Sequence, residues 1–329
     1  MTFPEDTLTL LREVPASTRT LLTIVVCAYR HADYVGECLA TIDAAAAPDM
    51  ELIVIDDGSP DDTLRVCLEH AFDPQMPLRI YTKKNAGLAD GLRRGLALAR
   101  GEHVAFIGSD DAYLPEGLST LLSRLRAGTW RADASLCQGV RFGDVDEVLY
   151  EKSLLELFAL PRATRYRRCC TYLVRAMYLQ TAIFRTAFLR ELDPWSRNFT
   201  LDDWPTFILV FGAEAEGSAS VRYEPELSLV RYRIHGGGAH KQLVQMIRTT
   251  EQIAEELVPP KWRRLALANI RIQFGLTYLY QRNFRTGLSL CLRGLLTCPT
   301  PEVVTQFATR SARFVWKRLA RRPATVGGA

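Results

Sequence analysis

The chain has 329 residues, of which 48% are hydrophobic and 24% are charged. This composition is typical of a folded globular protein and excludes a largely disordered or fibrous chain. A single core rarely grows beyond about 250 to 300 residues, so the length favours one large domain with a smaller appendage. The net charge of +4 is unevenly distributed, because residues 241–329 hold 15 Lys and Arg against 4 Glu and no Asp.

Three features of the sequence bear on where the protein acts. The first ten residues, MTFPEDTLTL, contain two acids and no basic stretch before an apolar core, so they do not resemble a secretory signal. No apolar run approaches the ~18 to 20 residues that cross a bilayer. The eight cysteines include no CxxC pair, which argues against a zinc ribbon and favours reduced thiols. We therefore expect a cytoplasmic protein, or one on the cytosolic face of a membrane.

The first third of the chain alternates between predicted strands and helices. Residues 21–28 (LLTIVVCA) and 51–55 (ELIVI) are apolar, β-branched runs typical of buried parallel strands. The apolar residues at 34, 38, 39 and 42 have helical spacing. Further elements follow in order: a helix at 63–70, a strand at 78–81, a helix at 88–100 and a strand at 103–107. This order predicts the α/β class, with an open, mostly parallel sheet flanked by helices.

The alternation weakens after about residue 140. Helical stretches are predicted at 150–160 and 170–190, and a strand-like run, VRYEPELSLVRYRIH, covers 221–235. From Lys241 onwards every segment has helical character, and the pair 274–280 and 286–296 predicts a helical hairpin. The second half should cover the sheet, form a second substrate pocket and end in a C-terminal α-helical extension.

Adjacent acids follow two of the predicted strands. Asp56 and Asp57 close the strand at 51–55, and Asp110 and Asp111 follow the strand at 103–107. Ligands of open α/β sheets bind beyond the carboxyl ends of the strands. These carboxylates could therefore hydrogen-bond a nucleotide or hold a hard cation such as Mn²⁺ or Mg²⁺. A solvated turn or a helix cap would also explain either pair.

Two motifs in the second half add candidate groups. Asp202, Asp203 and Trp204 place carboxylates beside an aromatic ring, which suits general-base catalysis next to a sugar. His235 begins a glycine-rich loop and could complete a metal site or contact a diphosphate. Each motif has a structural alternative, namely an N-cap for the following helix and a structural histidine before a turn.

Taken in order, these segments resemble glycosyltransferase family 2. The matching segments are TIVVCAYRHADYVGECLATI, MELIVIDDGSPDDT, KNAGLADGLRRGLALARGEHVAFIGSDD, LDDW and YRIHGG. The resemblance covers about residues 20–240 and implies a GT-A catalytic domain. Its nucleotide-binding half would be 20–115 and its acceptor half 116–240. Residues 1–19 would form an N-terminal segment, and 241–329 a basic helical region.

The resemblance implies which residues bind the nucleotide sugar. In that family a tyrosine after the first strand stacks on the base, and Tyr29 matches it. Cys27 and Ala28 lie beside it, although Cys27 departs from the usual residue. Asp57 matches the acid that recognises the base, and Asp110 matches a ribose contact.

The same resemblance implies the catalytic groups. Asp111 matches the metal ligand of the DXD-like motif, and His235 falls where many relatives contact the metal or the diphosphate. Asp203 matches the catalytic base. Asp202 stands where glutamate is usual and, with Trp204, is expected to contact the acceptor.

The function implied is an inverting, Mn²⁺- or Mg²⁺-dependent transfer of one sugar from a nucleoside-diphosphate sugar, with UDP favoured. The acceptor would be a hydroxyl of a glycan or of a lipid-linked molecule, in surface polysaccharide or glycolipid biosynthesis. Single transfers are expected because the Gln-x-x-Arg-Trp motif of processive synthases is absent from the sequence.

Alternatives remain open at this point. A sugar nucleotidyltransferase would use a similar sheet and acidic metal ligands, but it should carry a glycine-rich, basic loop near the first strand. A catalytically silent nucleotide- or glycan-binding protein of the same fold is the other alternative. The amphipathic tail at 303–329 could lie on an anionic membrane or dock on the catalytic body. A nucleic-acid partner is not expected, because no nucleic-acid-binding motif accompanies the basic residues.

Overall fold

The computed structural model describes residues 8–143, 147–150, 152–172, 177–197, 199–234 and 243–320. The chain divides into two compact units. The first comprises Met1–Tyr166 and Val174–Ala239, and the second comprises Arg167–Leu173 and His240–Ala329.

A mixed, mostly parallel sheet forms the centre of the first unit. Its order is β1-β4-β3-β2-β5-β9-β7-β10-β6, with β8 paired to β7. Strands β4, β3, β2 and β5 run parallel to one another, as do β7 and β10. The strands are β1 (Thr9–Val14), β2 (Leu22–Ala28), β3 (Met50–Asp56), β4 (Leu78–Thr82), β5 (His103–Gly108), β6 (Ala112–Tyr113), β7 (Ala134–Phe142), β8 (Glu147–Val148), β9 (Ala182–Arg185) and β10 (Val221–Arg233).

Helices flank this sheet, as expected for the α/β class. The helices that lie wholly or largely in the first unit are α1 (Val35–Asp43), α2 (Thr63–Glu69), α3 (Leu88–Leu98), α4 (Pro115–Arg126), α5 (Ser153–Phe158), α6 (Arg162–Cys170), α7 (Thr186–Leu192) and α8 (Asp203–Glu216). A short 3₁₀ turn covers Leu179–Thr181. The open, mostly parallel sheet flanked by helices is thus confirmed.

The continuous apolar runs form the buried core of the sheet. Every residue of β3 is buried, and six of the seven residues of β2 are. Such strands need helices on both faces, and close packing is visible where α3 crosses β2. A Cβ added to Gly95 would lie 2.3 Å from Cγ1 of Val25, so only glycine lets the helix approach this closely.

Two parts of the predicted secondary structure differ from the structure. The helical prediction over 170–190 is wrong at 179–185, where the chain forms the 3₁₀ turn and then β9, which pairs antiparallel with both β5 and β7. The N-terminal segment, for which no strand was predicted, contains β1, which pairs antiparallel with β4. Its residues are mostly exposed, so it lacks the apolar run that marks a buried strand.

The second unit is helical in its described part. Its helices are α9 (Leu243–Leu257), α10 (Pro260–Tyr280), α11 (Phe284–Thr297) and α12 (Pro301–Ala320). A Cβ on Gly275 would lie 2.9 Å from the backbone oxygen of Gly287, so the backbones of α10 and α11 approach closely. None of the described helices is long and apolar enough to cross a membrane. The C-terminal helical extension is confirmed.

Candidate active site

The carboxyl ends of three neighbouring strands lie side by side. Cys27 pairs in register with Ile55 on one side and with Gly108 on the other. The residues that follow these strands therefore share one edge of the sheet, at the position where ligands of such sheets bind. Tyr29, Asp57 and Asp110 all lie at this edge, and the Tyr29 side chain is exposed.

The two acids after β3 have different environments. Asp56 is buried and closes its own turn, because its carboxylate accepts hydrogen bonds from the backbone N–H groups of Gly58 and Ser59 and from the hydroxyl of Thr82. Asp57 accepts hydrogen bonds from the backbone N–H groups at 86 and 87, at 2.9 and 2.8 Å. It holds the loop that leads into α3.

Lys83 was not predicted to belong to the site. Its fully buried ammonium group forms an ion pair with Asp57 and lies 2.9 Å from Oδ2 of Asp90. Arg94 contacts the same Asp90 carboxylate at 2.8 Å. A buried cation between two carboxylates fixes their positions, since moving either one would leave an unpaired charge in the interior. Lysine directly after a strand was the only sequence signal for this residue.

The loop after β2 is tied to the acids after β5. His31 Nδ1 lies 2.9 Å from the Ser109 hydroxyl and 3.8 Å from Oδ1 of Asp110. Gly108 leaves room for this arrangement, because a Cβ there would lie 2.6 Å from the same Asp110 oxygen. His31 is thus a further member of the site that the sequence reasoning did not single out.

Asp111 is a deeply buried acid at this edge, at 2% exposure. Its carboxylate accepts hydrogen bonds from the side-chain amide of Gln180 at 3.0 Å and from the backbone N–H of Arg233 at 2.8 Å. Burial, together with the neighbouring charge of Asp110, raises the pKa of Asp111 to about 8. The charged form is disfavoured by these surroundings, so a cation placed here would stabilise it.

Arg233 links the loop after β5 to helix α1. Its Nε donates a hydrogen bond to the backbone oxygen of Asp110 at 2.8 Å, and its guanidinium group forms an ion pair with Glu37 of α1. The same group lies 4.3 Å from the centre of the Phe142 ring. Arg233 thus orients the loop that carries both acids after β5.

Asp203 begins α8 and is the candidate base. Its Oδ1 accepts a hydrogen bond from the backbone N–H of Leu179. Burial, the adjacent Asp202 and the charge of Asp111 together hold the pKa of Asp203 well above its usual range. Asp203 and Asp111 are therefore close enough to interact electrostatically.

One short turn contacts both of these acids. In the 3₁₀ turn, the Leu179 N–H binds Asp203 and the next residue, Gln180, binds Asp111. The pKa of Tyr232 is also raised, first by burial and then by the charges of nearby groups that include both acids. Burial and the charge of Asp202 raise the pKa of the Cys27 thiol. The acids Asp202 and Asp203 of the second half therefore lie near the strand ends of the first half that carry Cys27 and Asp111.

The remaining predicted residues have varied positions. Ala28 is buried at the end of β2, and Trp204 is buried in the first turn of α8. Asp202 is partly exposed and precedes that helix. His235 lies outside the described residues, so its role as a metal ligand stays a prediction.

The described residues contain no group of three or more His, Cys, Asp or Glu side chains able to hold a metal ion. A divalent cation that binds a nucleotide commonly uses only one or two carboxylates, and phosphate oxygens supply further ligands. Asp110 and Asp111 supply two such carboxylates. A cation would also offset the unfavourable negative charge of the buried Asp111 carboxylate. The residues present are therefore compatible with Mn²⁺ or Mg²⁺.

The sheet and its flanking helices have the GT-A fold. A TarS fragment from S. aureus, solved with UDP-GlcNAc, superposes with a TM-score of 0.58 at 17% identity, covering 84% of this chain and 80% of that one. The mannosyltransferase PcManGT from Pyrobaculum calidifontis, in complex with GDP-Man and Mn²⁺, gives a TM-score of 0.54 at 16% identity, covering 92% and 83%.

Residues 23–193, more than half of the chain, match the family model described as Glycosyl transferase family 2. The chain belongs to this family. Chondroitin synthase from Escherichia coli is 32% identical over 117 residues, which is 35% of this chain and 16% of that protein. Cholesterol galactosyltransferase from Borreliella burgdorferi is 28% identical over 106 residues, or 32% and 29%. The chain therefore spans less than a third of the length of these two relatives.

Proposed function

We propose that the protein is a metal-dependent, inverting glycosyltransferase that moves one sugar from a nucleoside-diphosphate sugar, with UDP favoured, to a hydroxyl group. The acceptor we propose is a glycan or a lipid-linked molecule, in surface polysaccharide or glycolipid biosynthesis in the cytoplasm. One observation carries the proposal: a single turn contacts both Asp111, the candidate metal ligand, and Asp203, the candidate base. A metal-bound leaving group and an attacking hydroxyl need this proximity.

The donor would bind at the carboxyl ends of β2, β3 and β5. Tyr29 offers an exposed ring on which a base can stack. A carboxylate has about four acceptor positions, and Asp57 uses three of them on Lys83 and on the two backbone N–H groups of its loop. The remaining position can accept a hydrogen bond from a base. The complexes of TarS with UDP-GlcNAc and of PcManGT with GDP-Man support a nucleotide-sugar donor.

Asp110 and Asp111 would hold the metal ion, with His235 as a further ligand. A bound Mn²⁺ or Mg²⁺ supplies positive charge to the diphosphate leaving group. The chain's own contribution is to keep the acids in place. The Arg233 side chain binds the backbone oxygen of Asp110. The backbone N–H of Arg233 and the side-chain amide of Gln180 bind the carboxylate of Asp111.

Asp203 would take the proton from the acceptor hydroxyl. Its raised pKa makes it a stronger base than an ordinary carboxylate, which favours proton transfer to it. The hydrogen bond from Leu179 fixes one carboxylate oxygen and leaves the other to accept the proton. Asp202 and Trp204, on either side of this residue, are proposed to contact the acceptor.

A nucleotide screen tests the donor site. Thermal unfolding would be followed with UDP, GDP, dTDP or CMP, each with Mn²⁺, with Mg²⁺ or with EDTA. A ligand at 100 times its dissociation constant adds about 2.7 kcal/mol to stability. We expect one diphosphate to raise the unfolding temperature only when metal is present. No response to any diphosphate would contradict the proposal and favour a glycan-binding protein.

A further inference from the structure

An exposed apolar row runs along α11 in the second unit. Phe284, Leu288, Leu292 and Leu296 are spaced by four residues and are 53%, 61%, 58% and 69% exposed. At 1.5 Å per residue the row is about 18 Å long. Single exposed leucines are common on protein surfaces, but a contiguous row marks an interaction surface.

This row is distinct from the face that α11 buries. Gly287, Cys291 and Gly294 are the buried residues of α11, and all three face α10. Three or four residues make one helical turn, so this buried set lies on one side of the helix and the exposed row on another. The core of the second unit is therefore complete without the exposed row.

The charge around the row has one sign. Arg285 and Arg293 are exposed on the same helix. No Asp or Glu occurs between Glu256 and Glu302, a stretch that contains seven Lys and Arg. A helix with Phe and Leu beside arginines, and with no acid, has the composition of a helix that lies in the interface of an anionic bilayer.

Two apolar residues near the beginning of α12 pack within the second unit, whereas Val304 is 53% exposed. Val303 is fully buried, and Phe307 packs against the core of that unit. Arg310 donates hydrogen bonds to the backbone oxygens of Asn269 and Tyr172. Among the side chains described at the start of α12, Val304 is a single exposed apolar residue, so the row of exposed apolar residues belongs to α11.

We propose that α11 is the surface by which the protein binds an anionic phospholipid bilayer, with Phe284, Leu288, Leu292 and Leu296 entering the interface and Arg285 and Arg293 contacting lipid phosphates. This inference goes beyond the proposed sugar transfer and does not depend on it. It places the lipid contact on α11, outside the 303–329 tail.

The experiment is vesicle flotation of the full chain. The vesicles would contain phosphatidylcholine alone or phosphatidylcholine with phosphatidylglycerol. The wild-type protein should float with the anionic vesicles and remain unbound with neutral ones. The triple variant Leu288→Asn, Leu292→Asn, Leu296→Asn should bind anionic vesicles at least about tenfold more weakly, because three exposed leucines no longer enter the apolar layer. Val244→Asn, at a 58%-exposed position of α9, is the matched control and should bind like the wild type.

Circular dichroism and unfolding temperature would establish that the triple variant folds, as expected for substitutions at exposed positions. The double variant Arg285→Gln, Arg293→Gln should weaken binding to anionic vesicles and remove much of its dependence on salt concentration. Equal vesicle binding by the wild type and the triple variant would overturn the proposal. The proposal would also be overturned if the wild type bound no vesicles but self-associated, and if the triple variant lost that self-association. The row would then be an interface between copies of the chain.

Discussion

Replacing Asp111 by Asn should make the metal-free protein more stable. Burial and the charge of Asp110 raise the pKa of Asp111 from 3.8 to about 8. Between these values the folded protein binds more protons than the unfolded chain, so its stability falls as the pH rises. About three pH units separate the unfolded pKa from pH 7, at about 1.4 kcal/mol each, so the charge costs of the order of 4 kcal/mol at pH 7.

Asparagine should fit this position without strain. Its carbonyl oxygen can accept the hydrogen bond from the Arg233 N–H. Among the described residues, the buried Oε1 of Gln180 has no hydrogen-bond partner, so a rotated Gln180 amide can accept from the new side-chain NH₂ group. Both contacts of the wild-type carboxylate would then be kept.

Urea unfolding in EDTA between pH 4 and pH 9 measures the effect. The stability gained by Asp111→Asn should be near zero at pH 4 and largest above pH 8. Asp49→Asn is a control of opposite sign, because a hydrogen bond and ion pair with Arg126 lower the pKa of Asp49. That variant should lose stability at neutral pH. An Asp111→Asn protein that is less stable than the wild type, or whose gain in stability does not change with pH, would contradict the raised pKa of Asp111.

Further predictions concern the base, the buried cation and the close helix contact. Asp203→Asn should lower sugar transfer by about 10²- to 10⁴-fold, the usual contribution of a general base, without lowering the unfolding temperature; full activity would exclude the role. In the wild type, activity should be lost on acidification at a pH above the usual carboxylate range, because the pKa of Asp203 is raised. Lys83→Met should cost about 3 to 5 kcal/mol in urea unfolding, because it leaves two carboxylates without their buried partner; a loss below about 1 kcal/mol would contradict the buried ion pair. Gly95→Ala should destabilise by about 1 to 3 kcal/mol through the clash with Val25, whereas Gly36→Ala, with only one atom at 3.8 Å, should be neutral or stabilising.

The sequence was most informative where burial leaves a continuous apolar run. Strands β2, β3 and β5 were predicted to within one or two residues at each end. The acids after β3 and β5 could be grouped because the ends of parallel strands meet at one edge. The edge strand β1 lacks this signal, since most of its residues are exposed.

The contacts that assemble the site could not be predicted in the same way. Gln180 reaches Asp111 across 69 positions, and Arg233 reaches it across 122. No local sequence pattern indicates contacts between residues so far apart in the chain. The 3₁₀ turn lies in a stretch predicted as helix, so its contact with both acids became visible only when β9 was seen to pair with β5 and β7. Lys83 also required the fold, because an exposed lysine after a strand would look identical in sequence.

Donor cleavage without an acceptor tests directly whether the acids at this edge of the sheet form a metal-dependent donor site. Wild-type protein would be incubated with a panel of UDP-, GDP- and dTDP-sugars, with Mn²⁺, with Mg²⁺ or with EDTA, and release of the nucleoside diphosphate would be measured. We expect one class of donor to be cleaved, EDTA to stop the reaction, and Asp111→Asn to be inactive although it is folded. Cleavage that is unaffected by EDTA and by Asp111→Asn would contradict a metal-dependent site at this edge of the sheet.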